Sequence, residues 1–542
     1  MRAAGYLFCL WAATAAWAQA PRFDVLITGG RIVDGSGAAW FYGDLGIRGD
    51  SIAAIGNLTG ATAATVIDAK GSTVAPGFID IHSHGRRGIG RVPTAENYLR
   101  EGVTTIIEGP DGSSPLPISD FLGGVAKLKI SINFGTMVGQ GSIRAAVVGL
   151  ANRKATPEEI EKMKALAAQG MRDGAFGLST GLFYVPGNFS STEEVIELAK
   201  VVGRMGGMHI SHMREEAAHV LDSVRETIRI GEEGGLPTQI THHKIIGREN
   251  WGKSVETLRL VEEARARGVD VTIDQYPYTA SSTGLAALIP QWALAGGQKA
   301  TQERLAAPGE RAKIKAAVVT SLKVDRGGGD PANVQIADCS FDHSLAGKNL
   351  AEITRTHGLE PTFENSAETA MNMVAKGSCS AIYHAIGEED VVRIMQSPYT
   401  MIGSDGEIPI FGEAAPHPRS YGTFARVLGV YVREKHVLTL EEAVRKMSGF
   451  TATRLKIWDR GLLRPGMKAD VVVFDPATVA DRATFEKPHQ YSVGVRDVLV
   501  NGRPVLRNGE VTAERPGRVL YGPAHAVGQV ANLRPIGNRP AR

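Results

Sequence analysis

The chain has few cysteines, few aromatic residues and no basic block, and each of these features is typical of a particular class of protein. Only three of its 542 residues are cysteine, 6% are aromatic, and no basic block or basic-aromatic stripe occurs. Its 60 lysine and arginine residues nearly balance 57 aspartate and glutamate residues, for a formal charge of +3 at pH 7. No nucleic-acid partner is indicated, and 43% hydrophobic residues exclude a disordered chain. We therefore expect a globular protein with a large buried core.

The first 20 residues have the pattern of a secretory signal peptide. Arg2 supplies a positive charge, residues 5–17 are apolar or small, and residues 18–20 (AQA) fit a cleavage site. No run of 18 apolar residues follows, so we expect no membrane anchor after cleavage. The expected location is outside the cytoplasm, either periplasmic or secreted.

Removal of residues 1–20 would leave two cysteines, Cys339 and Cys379. An exported chain that needed disulfides for stability would carry more of them. We therefore expect two thiols packed in the core, and a bridge between them remains an alternative that the spacing does not decide.

The middle of the chain predicts a (β/α)8 barrel in the α/β class. Apolar runs alternate with amphipathic helical segments, one of them over 215–233, and repeated βα units imply parallel strands. The eight predicted strands are 78–84, 104–109, 133–139, 176–181, 208–213, 238–244, 269–276 and 399–404.

Short β-rich segments flank this barrel. Residues 21–75 and 460–515 carry strand signals separated by Gly and Asp turns, and they predict two parts of one small β-sandwich. The catalytic barrel is expected over 76–459, with an insertion or lid at about 284–342 that is rich in Ala, Gln and Gly. Residues 516–542 are expected to form a tail.

Histidine or aspartate closes five of the eight predicted strands. Catalytic side chains of such barrels lie at the carboxyl ends of the strands, where this chain has His212, His242 and Asp405. His82 and His84 are two residues apart, so they project to the same side of a strand. Imidazoles with a carboxylate bind a divalent first-row ion, zinc by default.

Such a site can hydrolyse an amide-like C–N bond. The ion polarises a carbonyl and lowers the pKa of bound water to about 7, and Asp405 can pass the proton of the water to a leaving amine. His209 lies three residues before His212, so only one of them faces inward in a regular strand, and we expect His209 to be structural.

Several segments together resemble one family. They are PGFIDIHSH at 76–84, EGVTT at 101–105, LSTGL at 178–182, SHMREE at 211–216, THHK at 241–244, YPY at 276–278, IGSDG at 402–406 and HPRSYGTF at 417–424. The first resembles the amidohydrolase superfamily signature, and the combination is similar to the D-aminoacylase (N-acyl-D-amino-acid deacylase) family. The resemblance implies hydrolysis of N-acyl-D-amino acids to a carboxylate and a free D-amino acid, and the D configuration rests on it alone.

The resemblance also implies roles for the site residues. His82 and His84 match the weaker metal site, His212 and His242 match the histidines of the tightly held metal, and Asp405 matches the catalytic aspartate. The residues that match those holding the α-carboxylate of the substrate are Lys244, Tyr276, Ser282 and Arg419.

One position departs from that family. Asp111 stands where D-aminoacylases typically have a metal-ligating cysteine, and Glu108 is the reserve candidate. Aspartate is a harder ligand than thiolate and can bridge two ions, so the identity of the metal and a count of one or two ions stay open. The oligomeric state also stays open.

Three alternatives remain. A cyclic-amide hydrolase of the dihydroorotase or hydantoinase kind, or an isoaspartyl dipeptidase, would typically use a carboxylated lysine, and no lysine stands at a suitable strand end. Residues 247–254 (GRENWGKS) satisfy the phosphate-loop pattern GxxxxGK[ST] of a nucleotide-binding protein. A non-catalytic metal- or ligand-binding barrel is the third alternative.

Overall fold

The computed structural model describes residues 22–525, so the predicted signal peptide lies outside the described residues. Eight strands form a closed parallel barrel, and the predicted fold class is confirmed. The barrel strands are β1 Phe78–Asp80, β2 Val103–Glu108, β3 Asn133–Thr136 with Val138–Gly139, β4 Gly177–Gly181, β5 Met208–His212, β6 Thr238–Ile240, β7 Val271–Gln275 and β8 Thr400–Ile402. Neighbours pair in chain order, and a parallel bridge between Ser83 and Gly406 joins β1 to β8.

Helices cover the outside of the barrel. Outside the insertion they are Glu96–Leu99, Ile118–Lys127, Gln140–Val147, Pro157–Asp173, Thr192–Arg204, Val220–Gly234, Ser254–Ala266, Glu388–Gln396, Arg419–Arg426, Leu440–Met447 and Gly449–Leu455, with a π-helical turn Val427–Glu434. Short 3₁₀ turns are Gly85–Arg87, Gly187–Phe189 and Arg248–Asn250.

Local sequence sets the ends of these helices. Helix Pro157–Asp173 begins with a capping box between Thr156 and Glu159, has proline at its first position and ends at Gly174 with φ 117°. The predicted helix 215–233 instead begins at Val220. The early start is wrong because the Glu215 carboxylate accepts the N–H groups of Ala217 and His219, which fixes a turn there.

Both ends of the chain contribute to one small β-sandwich. Its nine strands are Arg22–Ile32, Phe41–Arg48, Ser51–Gly56, Thr62–Asp68, Thr73–Pro76, Val471–Phe474, Val495–Val500, Arg503–Arg507 and Glu510–Val511. Thr73–Pro76 pairs with Val471–Phe474, which joins the two parts. Because Thr73–Pro76 leads directly into β1, the sandwich anchors the strand that is followed by His82 and His84.

The insertion after β7 is a separate layer with its own core. Its sheet is Ser281–Gly284, Cys379–Tyr383 and Val334–Cys339, all antiparallel. Its helical elements are Leu285–Leu288, Gln291–Leu294, Gly297–Ala306, Pro308–Val324, Pro331–Asn333, His343–Leu345, Leu350–Thr356 and Phe363–Lys376. The predicted limits 284–342 are therefore wrong at the carboxyl end, because the central strand of this sheet comes later in the chain.

Cys339 and Cys379 form a disulfide in this insertion. They lie directly opposite each other in the register of two paired strands, so the expectation of two free core thiols is wrong. Strand register is a tertiary property, and the separation of the two cysteines in sequence could not show it.

The part of the predicted tail that the structure describes lies against the barrel. Phe134 in β3 donates to the carbonyl of Arg518 and accepts from the amide of Leu520. In residues 22–525 no helix combines the length and the apolar character that crossing a membrane requires.

His209 is buried in β5, as expected for a structural histidine. Its ring nitrogens lie 2.9 Å from Thr180 Oγ1 and 2.8 Å from Thr238 Oγ1. Burial, with a smaller effect of the Arg454 charge, lowers the pKa of His209 to about 3. Between about pH 3 and pH 6.5 the His209 ring therefore stays neutral in the folded protein but binds a proton in the unfolded chain, where its pKa is about 6.5.

This difference predicts a pH-dependent stability. Because the pKa is depressed in the folded state, the stabilisation is complete above about pH 6.5 and is lost as pH falls towards 3. Between pH 7.5 and pH 5, the unfolding free energy of the wild type should fall by about 2 kcal/mol more than that of His209→Gln. Urea unfolding at both pH values measures this, with exposed His219→Gln as the control. Equal losses in wild type and His209→Gln would refute the prediction.

Candidate active site

Six predicted residues converge at the carboxyl ends of the barrel strands. Their ligand atoms form two groups, each within 4.8 Å, and the groups share one residue. The first group is His82, His84, Asp111 and Asp405, and the second is Asp111, His212 and His242. Glu108, the reserve candidate, belongs to neither group.

Asp111 lies at the centre of this cluster. Its Oδ1 is 3.6 Å from His82 Nε2, 3.6 Å from His212 Nδ1 and 3.4 Å from His242 Nε2. Its Oδ2 is 3.5 Å from His84 Nε2. One carboxylate therefore faces all four histidines, as a ligand shared by two ions would.

The donor set fits a divalent metal ion. Imidazole nitrogens with carboxylate oxygens suit zinc and other first-row ions. His82 Nε2, His212 Nε2 and Asp111 Oδ1 are buried and have no hydrogen-bond partner, although buried polar atoms are normally paired. An ion bound by the two groups would satisfy His82 Nε2 and Asp111 Oδ1.

Three of these residues have left-handed backbone. The φ angles of Asp111, His242 and Asp405 are 56°, 35° and 51°, and such conformations cost about 1–3 kcal/mol each. The surroundings impose them: the amide of Asp405 donates to the carbonyl of His82 at 2.7 Å, and the amide of His242 donates to Asp274 Oδ1 at 2.7 Å. A Cβ at Gly181 would come within 2.1 Å of the Asp111 carbonyl, so glycine is required there.

A buried network that the sequence reasoning missed holds the Asp405 loop. Tyr98 Oη lies 2.8 Å from Ser83 Oγ and donates to the carbonyl of Gly406 at 3.2 Å. Ser404 donates its hydroxyl and its amide to the Asp80 carboxylate. Burial raises the pKa of Asp80 to about 6, although the hydrogen bonds from Ser404 lower it.

Arg419 lies beside Asp405, and Tyr276 packs against Arg419. Arg419 Nη1 is 2.8 Å from Asp405 Oδ2, and Nη2 donates to the carbonyl of Ser282 at 3.3 Å. The Arg419 guanidinium lies 4.8 Å from the centre of the Tyr276 ring, whose buried hydroxyl has no partner. Burial alone would raise the pKa of Asp405. The charges of Arg419 and His82 outweigh this effect and hold the pKa well below its ordinary value.

Lys244 was predicted to bind the substrate carboxylate, but its ammonium already has hydrogen-bond acceptors within the protein. Its ammonium donates to Glu216 Oε1 at 2.5 Å, to His242 Nδ1 at 2.8 Å and to the His242 carbonyl at 3.0 Å. These acceptors use all three N–H donors of a lysine. Lys244 therefore holds the metal histidine in this state and can meet a substrate only by exchanging an acceptor.

Glu216 and Arg326 also belong to the site, and the sequence reasoning missed both. Glu216 lies four residues after His212, and this spacing could have indicated it. Arg326 comes from the insertion, directly before three consecutive glycines at 327–329. Its Nη2 is 3.5 Å from Glu216 Oε2. Only the folded chain brings this arginine to the barrel.

A cavity of about 930 Å³ leads to the cluster. His84, Asp111 and Asp405 line its floor, and Leu150, Ile289 and Leu294 belong to its wall. Its three arginines each pair with a carboxylate, and these pairs are Arg86–Glu108, Arg87–Glu407 and Arg419–Asp405. The cavity therefore offers an apolar wall and no unpaired arginine to a substrate side chain.

The phosphate-loop pattern at 247–254 does not form a phosphate site. Asp390 accepts the amide of Gly252 at 2.8 Å and the hydroxyl of Ser254. Lys253 Nζ donates to the Ala218 carbonyl at 3.0 Å and to Asn250 Oδ1 at 2.7 Å. An internal carboxylate occupies the donors that a phosphate would need, so the nucleotide-binding alternative is wrong.

Comparisons with known proteins place this site in context. A model of the amidohydrolase family matches residues 140–506. A D-aminoacylase from Alcaligenes xylosoxydans xylosoxydans is 38% identical over 92% of this chain and 97% of its own.

Two solved structures share the fold over 92% of this chain and 100% of theirs. One is N-acyl-D-glutamate deacylase from Bordetella bronchiseptica complexed with zinc and a phosphonate inhibitor, with a TM-score of 0.79 and 35% identity. The other is a D-aminoacylase studied for the functional role of its binuclear metal centre, with a TM-score of 0.80 and 37% identity.

Proposed function

The chain belongs to the amidohydrolase family, and from this premise we propose that it hydrolyses N-acyl-D-amino acids to a carboxylate and a free D-amino acid. The observation that carries the proposal is the cluster of four histidines and Asp111, with Asp405 beside it, which a cavity reaches at His84, Asp111 and Asp405. Relatives of similar length that are named D-aminoacylase and N-acyl-D-glutamate deacylase support the substrate class and its configuration.

We propose zinc as the ion, with His212, His242 and Asp111 as the residues that would hold it. A second ion would be held by His82 and His84, with Asp111 and Asp405 beside them. A bound divalent ion polarises an acyl carbonyl and lowers the pKa of water towards neutrality. The zinc complex of one relative supports this choice of ion.

We assign the proton transfer to Asp405. Its Oδ1 faces the cluster, 3.0 Å from His84 Nε2, while Oδ2 pairs with Arg419. An ionised carboxylate held in this way can accept a proton from water and return it to the leaving amine. Arg419 also fixes the orientation of that carboxylate.

The α-carboxylate of the substrate fits beside Asp405. Arg419 supplies a guanidinium fork suited to a carboxylate, and the unpartnered Tyr276 hydroxyl supplies a further donor. Ser282 lines the same small pocket as Tyr276 and Asp405. Lys244 can bind the substrate carboxylate when it exchanges one of its acceptors, such as His242 Nδ1. These four groups offset the cost of removing a carboxylate from water.

We further propose that the protein is exported to the periplasm or secreted. The signal-peptide pattern of residues 1–20 supports this location. The Cys339–Cys379 disulfide supports it independently, since disulfides persist in oxidising compartments.

The proposed function is tested with a panel of N-acetyl-D- and N-acetyl-L-amino acids. We expect release of free amine from the D-compounds, loss of activity on chelation and recovery on addition of zinc. The apolar cavity wall predicts faster turnover of N-acetyl-D-leucine than of N-acetyl-D-glutamate. Hydrolysis of dihydrouracil or hydantoin, with no release from any N-acetyl compound, would instead favour the cyclic-amide alternative.

A further inference from the structure

We infer that Glu216 is a positioning residue for the two histidines His212 and His242, and that Arg326 of the insertion fixes Glu216. The inference rests on the metal-dependent activity proposed above. It assigns the insertion a part in building the metal centre, in addition to covering the cavity.

The two imidazoles lie between the same two carboxylates. His242 directs Nε2 towards Asp111, at 3.4 Å, and Nδ1 towards Glu216 Oε1, at 3.4 Å. His212 is turned the other way, with Nδ1 3.6 Å from Asp111 and Nε2 3.8 Å from Glu216 Oε2. Asp111 therefore faces the inner nitrogen of each ring, and Glu216 faces the outer one.

This arrangement selects which nitrogen is free to bind a cation. A neutral imidazole carries its proton on one nitrogen and offers a lone pair on the other. A carboxylate at the outer nitrogen stabilises the proton there and makes the inner nitrogen a stronger donor. Glu216 thus favours Nε2 of His242 and Nδ1 of His212 as the metal-binding atoms. These two nitrogens lie 2.7 Å apart and hydrogen-bond to each other in this structure, so an ion would have to displace the proton between them.

This assignment requires Lys244 to give up one contact, because in this structure its ammonium donates to His242 Nδ1 at 2.8 Å. With a proton on His242 Nδ1, the ammonium keeps two acceptors, Glu216 Oε1 at 2.5 Å and the His242 carbonyl at 3.0 Å. Its third N–H is then released, and it becomes available to the substrate carboxylate that the proposed function assigns to it.

Glu216 needs cations because its carboxylate is only 1% exposed. A buried carboxylate is costly unless it is paired. Lys244 pairs with Oε1, and Arg326 Nη2 lies 3.5 Å from Oε2. Arg326 is itself 3% exposed, and its guanidinium is held 4.1 Å from the centre of the Phe183 ring.

Arg326 supplies the support from outside the barrel. It follows helix Pro308–Val324 of the insertion, whereas Glu216 and Lys244 follow β5 and β6. Because the two oxygens of Glu216 have different cations, Arg326 specifically restrains the oxygen that faces His212.

The test is metal affinity in Glu216→Gln, measured with Zn²⁺ and Co²⁺ in competition with a chelator. We expect Kd to rise by about 10–100-fold, and the visible spectrum of the Co²⁺ protein to change. The matched control is Glu215→Gln, because this neighbouring carboxylate accepts backbone N–H groups of Ala217 and His219 and does not face the histidines. We expect the control to keep wild-type affinity.

Arg326→Gln and Arg326→Lys test whether Arg326 fixes Glu216. These variants remain informative if Glu216→Gln fails to fold. We expect weaker metal binding in Arg326→Gln and partial recovery in Arg326→Lys, which keeps the charge without the planar fork. Metal affinity within twofold of wild type in the folded variants, or an equal loss in Glu215→Gln, would overturn the inference. A wild-type protein that binds metal but releases no amine would contradict only the proposed function.

Discussion

Asp405→Asn is expected to lower kcat by about 10²- to 10⁴-fold, the usual contribution of general acid–base catalysis. The amide has the size of the carboxylate, so the left-handed backbone at this residue (φ 51°) and its seat near Arg419 should persist. It cannot take a proton from water at neutral pH. Metal should stay bound at His212, His242 and Asp111, which form a group without Asp405.

Turnover and metal content of one sample distinguish loss of proton transfer from loss of the ion. Asp338→Asn is the matched control, because Asp338 lines the same cavity but pairs with His343 at 2.7 Å, outside the metal cluster. We expect near-normal kcat in the control. Wild-type turnover by Asp405→Asn would remove this residue from the mechanism.

Asp111→Asn is expected to abolish tight metal binding, and activity with it. Asp111 is the residue common to both groups of ligands, and its loss leaves four imidazoles with no central anion. The effect should exceed the 10–100-fold that loss of a supporting residue costs. Asparagine tolerates left-handed backbone, so the φ of 56° at this position should not by itself unfold the loop.

Two further variants isolate the role of the carboxylate. Asp111→Cys should retain metal, because a thiolate is a good ligand for zinc. Glu108→Gln should also retain it, because Glu108 accepts the amide of Arg86 at 2.8 Å and lies in neither group. The metal content of all three variants is measured after dialysis. Full occupancy in Asp111→Asn would show that Asp111 is not a ligand.

The barrel and most of its cluster could be predicted because they depend on local pattern. Apolar runs alternating with amphipathic helices imply parallel strands, and parallel strands place all their carboxyl ends at one rim. His82, His212 and Asp405 therefore had to approach one another once their strands were recognised. The choice of Asp111 over Glu108 came from a family resemblance, and the structure places Asp111 among the histidines.

The parts that could not be predicted depend on contacts between distant segments. Arg326 reaches Glu216 across 110 positions of sequence, and no periodicity marks such a pair. The extent of the insertion and the Cys339–Cys379 bridge follow from the order and register of an antiparallel sheet, which a one-residue shift would alter.

By itself the sequence determined the class of the fold, the rim at which the chemistry collects and the residue types available there, because each follows from short-range pattern and strand direction. Only the tertiary structure decided which ring nitrogens face Asp111 and which cations compensate the buried Glu216. These depend on side-chain positions within a few tenths of an ångström, set by packing between elements that are remote in the chain.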